Sequence, residues 1–282
     1  MKHTIPMIAA VVLMTACSGG DDAAKEKAAV TIEESNLDAS DDQDFILPQP
    51  ISLASAFQEA GLTYKAGKTN PVSNKSKYAQ NIDKLLNLGV YSTDLAYCAI
   101  NNKSQEARTY LLAIQDLGSK VGMESVFSDK ALIEKFDKNL SDKDALTELI
   151  YEIQDKSDAY LEDNDLKYLA AVQFAGAWAE GIYLGIDDSK KKGDLGTALV
   201  DQMVLLKNTI KALKKHPAKD DKRLQEVIGL FENVLSTYEG LESVKKANKN
   251  VNFEVPKLTP AEFDQLAGKI TELRNSIVSP SK

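Results

Sequence analysis

The chain has 282 residues, of which 43% are hydrophobic and 27% charged, and it carries a net charge of −8 with two cysteines and two histidines. This composition suits a folded globular protein and argues against a disordered chain or a disulfide scaffold. The pI near 5.0 argues against nucleic acid as a partner, because that partner needs a basic surface. Only His216 is left once the segment containing His3 is removed, which argues against histidine triads and multi-histidine zinc sites.

Residues 1–16 have the pattern of a bacterial signal peptide. Lys2 supplies a positive charge, and Ile5 to Met14 form an apolar stretch too short to span a bilayer. The four residues Met-Thr-Ala-Cys that end at Cys17 resemble a lipobox, in which cleavage precedes a lipidated cysteine. We therefore expect acyl chains on Cys17 to anchor the mature protein in membrane lipid. The alternative is an ordinary signal peptide followed by a chance cysteine.

Residues 17–44 follow as a tether. The stretch from Ser18 to Asp44 has nine acidic residues, two basic residues and no aromatic residue, which predicts a disordered segment with net charge −7. The pair Asp21–Asp22 resembles the acidic export signal of Bacteroidota surface lipoproteins, and a plain solvated linker is the alternative. We expect a lipid-anchored location in the cell envelope, at the outer membrane, with the periplasmic or surface face left open.

Residues 45–282 contain all nineteen aromatic residues and carry a net charge of only −2. Apolar residues recur at helical spacing throughout, and no run alternates as a half-buried strand would. This pattern predicts an all-α fold, a single helical-bundle domain of about eight or nine helices. Gly240 to Phe253 is the weakest part of the pattern and has the composition of a long loop. The predicted helices lie over Ser52–Gly61, Tyr78–Leu88 with a continuing apolar stretch Val90–Ile100 after Gly89, Ser104–Leu117, Ser128–Phe136, a long stretch from Ser141 to Leu161, Tyr168–Ile186 and three regular seams that begin near Leu199, Leu224 and Thr259.

The stretch from Tyr168 to Ile186 is the most apolar part of this domain. Its length would permit a membrane span, and Gln173 and Glu180 are its only strongly polar residues. A carboxylate in the middle of a span is costly in lipid, so we predict a buried central helix instead. The many alanines and glycines in this stretch would let neighbouring helices approach closely.

Two polar and aromatic segments supply the candidate ligand-binding residues, which are Tyr91, Asp94, Tyr97, Trp178, Glu180 and Tyr183. In the functional hypothesis, Asp94 and Glu180 share one pocket, and the aromatic rings form a wall on which a ligand stacks. Two carboxylates would then perform acid–base chemistry or hold a cation. In the structural alternative, each carboxylate accepts bonds from a tyrosine, a lysine or a helix N-terminus and only fixes helix packing.

Three segments also carry a resemblance to a known group of proteins. They are Gly61-Leu-Thr-Tyr64, the run GVYSTDLAYC that begins at Gly89, and the run from Gly176 to Tyr183 with Trp178 and Glu180. Together they resemble a family of uncharacterised helical Bacteroidota lipoproteins, over most of residues 45–190. The resemblance implies the helical fold and the envelope location, and it implies no activity and no role for any residue.

These observations lead to one main functional hypothesis and two alternatives. The main hypothesis is a non-enzymatic envelope lipoprotein, held in lipid through Cys17, whose helical domain binds an envelope protein or a small molecule. We predict no catalytic residue, no metal site and no cofactor, because none of the common phosphate, nucleotide or metal motifs is present. The first alternative is a hydrolase of glycan or peptidoglycan that uses Asp94 and Glu180. The second is a purely structural spacer.

Overall fold

A computed structural model of the chain describes residues 50–127, 130–189, 193–249 and 255–280. These residues all belong to one compact unit, Phe45–Lys282. The predicted signal peptide, the lipobox with Cys17 and the predicted tether lie outside the described residues, as does the predicted helix start at Ser128.

The described part of the chain is all-α, as predicted, and contains no strand. It has eleven α-helices and one short 3-10 helix, Val72–Lys77. The α-helices are α1 (Pro50–Glu59), α2 (Asn81–Ile100), α3 (Ser104–Lys120), α4 (Glu124–Phe127), α5 (Lys130–Lys138), α6 (Lys143–Asp163), α7 (Lys167–Ser189), α8 (Gly193–Lys214), α9 (Lys222–Gly240), α10 (Glu242–Asn248) and α11 (Pro260–Val278).

The structure differs from the sequence prediction in a few elements. The short helices α4 and α10 bring the number above eight or nine, and α10 lies inside the predicted loop from Gly240 to Phe253. Gly89 lies within the single helix α2 and does not separate two helices. Asp142, and not Ser141, caps α6, because its side chain accepts hydrogen bonds from two backbone N–H groups of the first turn.

The predicted start of the last helix is confirmed in detail. Thr259 and Glu262 form a reciprocal capping box at the beginning of α11, with Pro260 in the first turn. The Glu262 carboxylate also accepts hydrogen bonds from the backbone N–H and the hydroxyl of Ser243 on α10. These bonds to the charged form lower the pKa of Glu262 to about 2. The cap therefore connects the two last helices of the chain.

The centre of the bundle is a close crossing of α2 and α7, which run parallel. A methyl group added to Gly89 would lie 1.8 Å from the backbone oxygen of Gln173, and one added to Gly176 would lie 1.8 Å from that of Leu86. Only hydrogen at these two positions lets the backbones approach so closely. At the same crossing, the Thr93 hydroxyl donates to the backbone oxygen of Ala177 at 3.1 Å. The glycines thus set the register between the two helices.

The other long helices pack around this central pair. α11 lies antiparallel to α2 and α7, with its last turns beside Asn87 and Glu180. α8 runs antiparallel to α7, so the Trp178 indole donates to the backbone oxygen of Gln202 and Tyr168 lies against His216. α7 is the one helix of the described part that is long and apolar enough to cross a membrane, but 78% of its apolar window is buried by the protein. It lies at the centre of the bundle, as predicted.

Candidate functional site

A row of polar side chains runs along the buried face of α2. Asp83, Asn87 and Asp94 are spaced by four and seven residues, which places them on one side of a helix. All three are at most 3% exposed, although most of α2 is surrounded by apolar core. Polar groups buried at such depth need partners, because unpaired ones cost stability. The partners come from α7, α9, α11 and the segment before α2.

Glu180 of α7 forms an ion pair with Arg274 of α11. The guanidinium donates from Nε to Glu180 Oε2 at 2.8 Å and from Nη2 to Oε1 at 3.1 Å, so the contact is bidentate. Glu180 is fully buried and Arg274 is 8% exposed. A bidentate pair in such a dry environment fixes both position and orientation of the two helices. This carboxylate is therefore paired with an arginine, which the sequence hypothesis had not named.

Asp94 of α2 lies next to the Glu180–Arg274 ion pair, so the structure brings the two predicted carboxyl groups together. Their side chains lie within hydrogen-bonding reach of each other. Asp94 Oδ2 accepts a hydrogen bond from the backbone N–H of Asn70 at 3.1 Å. Oδ1 receives no hydrogen bond from the described part of the chain. We call Asp94, Glu180 and Arg274 the buried triad.

Residues 61–78, which we call the strap, cross over the triad between α1 and α2. Besides the Asn70 N–H, the backbone of Lys65 donates to the Tyr97 hydroxyl at 2.7 Å, and that hydroxyl donates to Thr63 O at 3.0 Å. The Tyr91 hydroxyl donates to Pro71 O at 3.1 Å. The strap is thus connected to α2 through polar contacts that end at three of the predicted site residues.

A hydrogen-bond network at the end of the strap continues to α11. The amide of Asn70 donates to the Tyr78 hydroxyl and to Asn87 Oδ1, at 2.9 and 3.3 Å. Asn87 in turn donates to the backbone oxygen of Ile277 at 2.9 Å. Because Asn70 and Asn87 are completely buried, this network satisfies amides that would otherwise be costly. It holds the strap against α2 and α11, two of the three helices that carry the triad.

The four predicted aromatic residues lie in three different environments. Tyr91 and Tyr97 are buried beneath the strap, where Tyr97 stacks on Tyr64 with ring centroids 5.4 Å apart. Tyr183 is half-buried, and both Arg274 and Lys68 approach its ring, at 4.5 and 4.8 Å from the centroid.

Trp178 is separate from this group, and the structure does not place it beside the triad. It packs against Phe231 of α9, with ring centroids 5.7 Å apart, and its indole N–H is bonded to α8. Positions 178 and 180 of a helix point to nearly opposite sides, which explains the separation. The four rings therefore do not form one continuous stacking wall in this conformation.

Burial dominates the electrostatics of the triad. It raises the pKa of Asp94 well above the usual value, and the neighbouring Glu180 charge raises it further, while Arg274 acts in the opposite direction. Burial also raises the pKa of Glu180, but the guanidinium that is bonded to it opposes this shift. The charge on Glu180 is therefore much better supported than a charge on Asp94.

This geometry limits the chemistry that the triad can perform. Two-carboxylate glycoside hydrolases use an open cleft with the carboxyl groups about 5–9.5 Å apart. Here both carboxyls are fully buried and within hydrogen-bonding reach of each other, so the geometry gives the hydrolase hypothesis no support. No group of three or more metal-ligating side chains occurs in the described ranges.

An open groove of about 590 Å³ lies elsewhere, against α3, α4 and α5. Its walls include Leu112, Phe127 and Ile133, together with several charged side chains. None of the six candidate residues lines it. The candidate site and the open groove are therefore distinct places on the domain.

Sequence reasoning missed Arg274, Asn70 and the strap. A signal for Arg274 does exist in the sequence: it follows Ile270 by four residues and precedes Ile277 by three, so it lies next to an apolar seam. It is also one of only three arginines among 34 basic residues. All three arginines form ion pairs, Arg108 with Asp137, Arg223 with Asp83 and Arg274 with Glu180. No local pattern marks Asn70, because its backbone N–H makes the contact.

Comparison with known proteins adds no further assignment. No family model matches the chain, and neither a curated protein nor a solved structure matches it significantly.

Proposed function

We propose that the chain is a membrane-anchored lipoprotein of the cell envelope whose helical domain binds a partner protein or a small ligand. The N-terminal pattern supports the anchor: an apolar signal peptide, the lipobox that ends at Cys17, and an acidic segment with no aromatic residue. The described fold begins at Pro50, 33 residues after Cys17. A coil of that length reaches roughly 30 Å, enough to hold a helical domain clear of a bilayer surface.

The buried triad beneath the strap is the observation that carries the binding part of this proposal. A buried ion cluster contributes less to stability than apolar side chains of the same volume, so packing alone gives little reason for it. Buried titratable clusters concentrate at functional sites. Tyr183 lies against Arg274 of the triad, and the hydroxyls of Tyr91 and Tyr97 bind the strap that covers it. We propose that a ligand reaches the triad when the strap is displaced.

Lipid attachment tests the first part of the proposal. The chain would be produced in a bacterium with lipoprotein-processing enzymes and labelled with a clickable fatty acid. We expect the label and detergent-phase partitioning in the wild type and in Cys98→Ser, and neither in Cys17→Ser. Cys98 is a suitable control because it is the other cysteine and is buried in α2. A wild-type chain that carries no label would contradict the proposed anchor.

A thermal-shift screen tests the binding part. The mature chain with Cys17→Ser would be screened against envelope glycans and peptides. We expect a ligand that raises the melting temperature, with the effect lost in Tyr183→Leu and kept in Asp137→Asn, which alters an exposed ion pair. A ligand that stabilises both variants equally would contradict a site at the triad, and the absence of any ligand would favour the spacer alternative.

A further inference from the structure

The triad has two buried carboxyl groups and one guanidinium. Both hydrogen bonds that Arg274 makes in the triad go to Glu180, and within the described ranges the Asp94 carboxyl accepts one, from the Asn70 N–H. Two ionised carboxylates within hydrogen-bonding reach repel each other strongly where water is excluded. A single proton removes this repulsion. It also turns Asp94 Oδ1, the oxygen that lacks a donor among the described residues, into a donor toward Glu180.

The two positive charges near the triad favour ionisation of Glu180. Arg274 donates both of its triad hydrogen bonds to Glu180, and the charge of Lys68, which lies over the ring of Tyr183, also lowers the pKa of Glu180. Arg274 also lies over that ring. Four buried titratable groups near the triad are neutral at physiological pH, because burial raises the pKa of each: Tyr78, Tyr91, Cys98 and Tyr110. An ionised Asp94 would therefore need water to stabilise it.

The strap is what keeps water from Asp94. It contains no α-helix and is attached through hydrogen bonds and through a few apolar side chains, among them Leu62 and Tyr78, and Gly61 and Gly67 adopt positive φ angles at its first two turns. Opening a connection of this kind costs less than separating α2, α7 and α11, which are packed through the core. Local opening of the strap is thus the conformational change that hydrates an ionised Asp94 at the lowest cost in free energy.

We propose that Asp94 carries a proton that it shares with Glu180, and that loss of this proton to solvent opens the strap. The triad is then an electroneutral unit while the strap is closed. The proton leaves from Asp94 Oδ1 to bulk water, and the new carboxylate is hydrated in the open form. The strap becomes a pH-sensitive cover over the polar and aromatic centre of the domain.

The sign of the effect follows from the raised pKa of Asp94 in the closed form. The closed form binds the proton more tightly, so closure is most favourable at low pH. It weakens as pH rises from the ordinary pKa of an aspartate, about 3.9, to the raised value. Over that interval the opening constant should increase about tenfold for each pH unit, because one proton is released.

Hydrogen exchange of the mature chain tests this proposal. Protection factors for residues 61–78 would be measured between about pH 5.5 and pH 7.5, after correction for intrinsic exchange, in the wild type and in Asp94→Asn. The amide reproduces the shape and neutrality of a protonated carboxyl and donates toward Glu180. We expect strap protection to fall with rising pH in the wild type, by up to about tenfold per pH unit below the raised pKa of Asp94, and to stay constant in the variant. Residues 223–228 of α9 serve as the internal control and should not respond.

Three results would overturn the proposal. The first is pH-independent strap protection in the wild type. The second is the same pH slope in Asp94→Asn as in the wild type. The third is failure of Asp94→Asn to fold across this pH range, because an amide must be tolerated where the acid is already neutral.

Discussion

Two buried arginines connect the central helices α2 and α7 to the C-terminal part of the domain, and they are paired in different ways. Arg223 donates from Nε to Asp83 at 2.7 Å and from Nη2 to the backbone oxygen of Ser276 at 2.7 Å. It also reaches the exposed carboxylate of Glu226 at 3.0 Å. Arg274 instead donates its hydrogen bonds to one carboxylate, Glu180, and a second carboxyl group, Asp94, lies next to that pair.

The difference between the two sites lies in the charge that remains unbalanced. At Arg223 the one buried carboxylate has a cation of its own, and the other acidic group is open to solvent, where its charge is stabilised by water. At Arg274 the second carboxyl is fully buried, so it needs a proton or a further cation. The first site therefore has the properties of a structural connection, and the second those of a site that responds to protons or ligands.

Removing each arginine gives the largest expected effect. Arg274→Leu and Arg223→Leu should each lower the free energy of unfolding by about 3–5 kcal/mol at neutral pH, because each leaves a buried carboxylate without its partner. The sites should differ in the size of the loss at neutral pH. In Arg274→Leu the protonated Asp94 still donates a hydrogen bond to Glu180, whereas Arg223→Leu removes the guanidinium that pairs with Asp83, so Arg274→Leu should lose less stability. Both variants should recover in acid, as the remaining carboxylate takes up a proton. Urea unfolding at several pH values measures this, and equal losses at neutral pH would remove the distinction between the sites.

The contact between Asp94 and Glu180 depends on the crossing of α2 and α7. Gly89→Ala should lower the free energy of unfolding by about 3 kcal/mol, because the added methyl group meets the backbone oxygen of Gln173. Gly229→Ala in α9 is the matched control: no atom lies within 4 Å of its added methyl group, so helix propensity should give a gain of about 0.5–1 kcal/mol. Equal effects of the two substitutions, measured by urea unfolding, would show that the crossing is looser than described.

Glu180→Gln should cost less than loss of Arg274, about 1–3 kcal/mol, because Asp94 can then ionise and take over as the counter-charge. The effect of Asp94→Asn should therefore change sign with its background. It should be neutral or stabilising in the wild type, and strongly destabilising in Glu180→Gln, where it removes the last carboxylate facing Arg274. A double-mutant cycle measures this coupling, and additive free energies would contradict it.

Glu226→Gln gives the smallest expected effect. Its side chain is 56% exposed, and pairs that water can reach contribute about 0–1 kcal/mol. We expect a loss below about 0.5 kcal/mol that disappears at high salt. A larger, salt-independent loss in urea unfolding would mean that Arg223 needs both carboxylates, which would make the two sites alike.

The helical fold could be predicted from the sequence because apolar periodicity is local. The seams of α8, α9 and α11 and the capping box at Thr259 are confirmed by the structure. One of the two sequence hypotheses placed Asp94 and Glu180 in a shared pocket, and the structure does bring the two carboxyl groups into one cluster. It missed Arg274, which is 94 residues from Glu180 along the chain, because no local pattern specifies which distant helix completes a buried pair.

The aromatic residues of the site could not be placed for the same reason, since local sequence does not specify which helices surround them. Trp178 and Glu180 are two residues apart, and the choice between a shared pocket and opposite faces depends on which helices surround α7. The many glycines and alanines of α7 predicted a close approach of neighbouring helices. The sequence did not show that Gly89 would face Gln173 or that Gly176 would face Leu86. The roles of the candidate residues and of Cys17 stay predictions that the experiments above address.

The central claim is that the buried triad holds one proton at neutral pH, and infrared difference spectroscopy tests it most directly. The spectrum of the wild type minus that of Asp94→Asn, at about pH 7, isolates the absorption of the Asp94 carboxyl group. We predict that this difference spectrum contains the carbonyl band of a protonated carboxylic acid. Arg223 and Asp83 are unchanged in both proteins, so their bands cancel in the subtraction. A difference spectrum that contains only carboxylate bands would show that Asp94 is ionised, and would contradict the account.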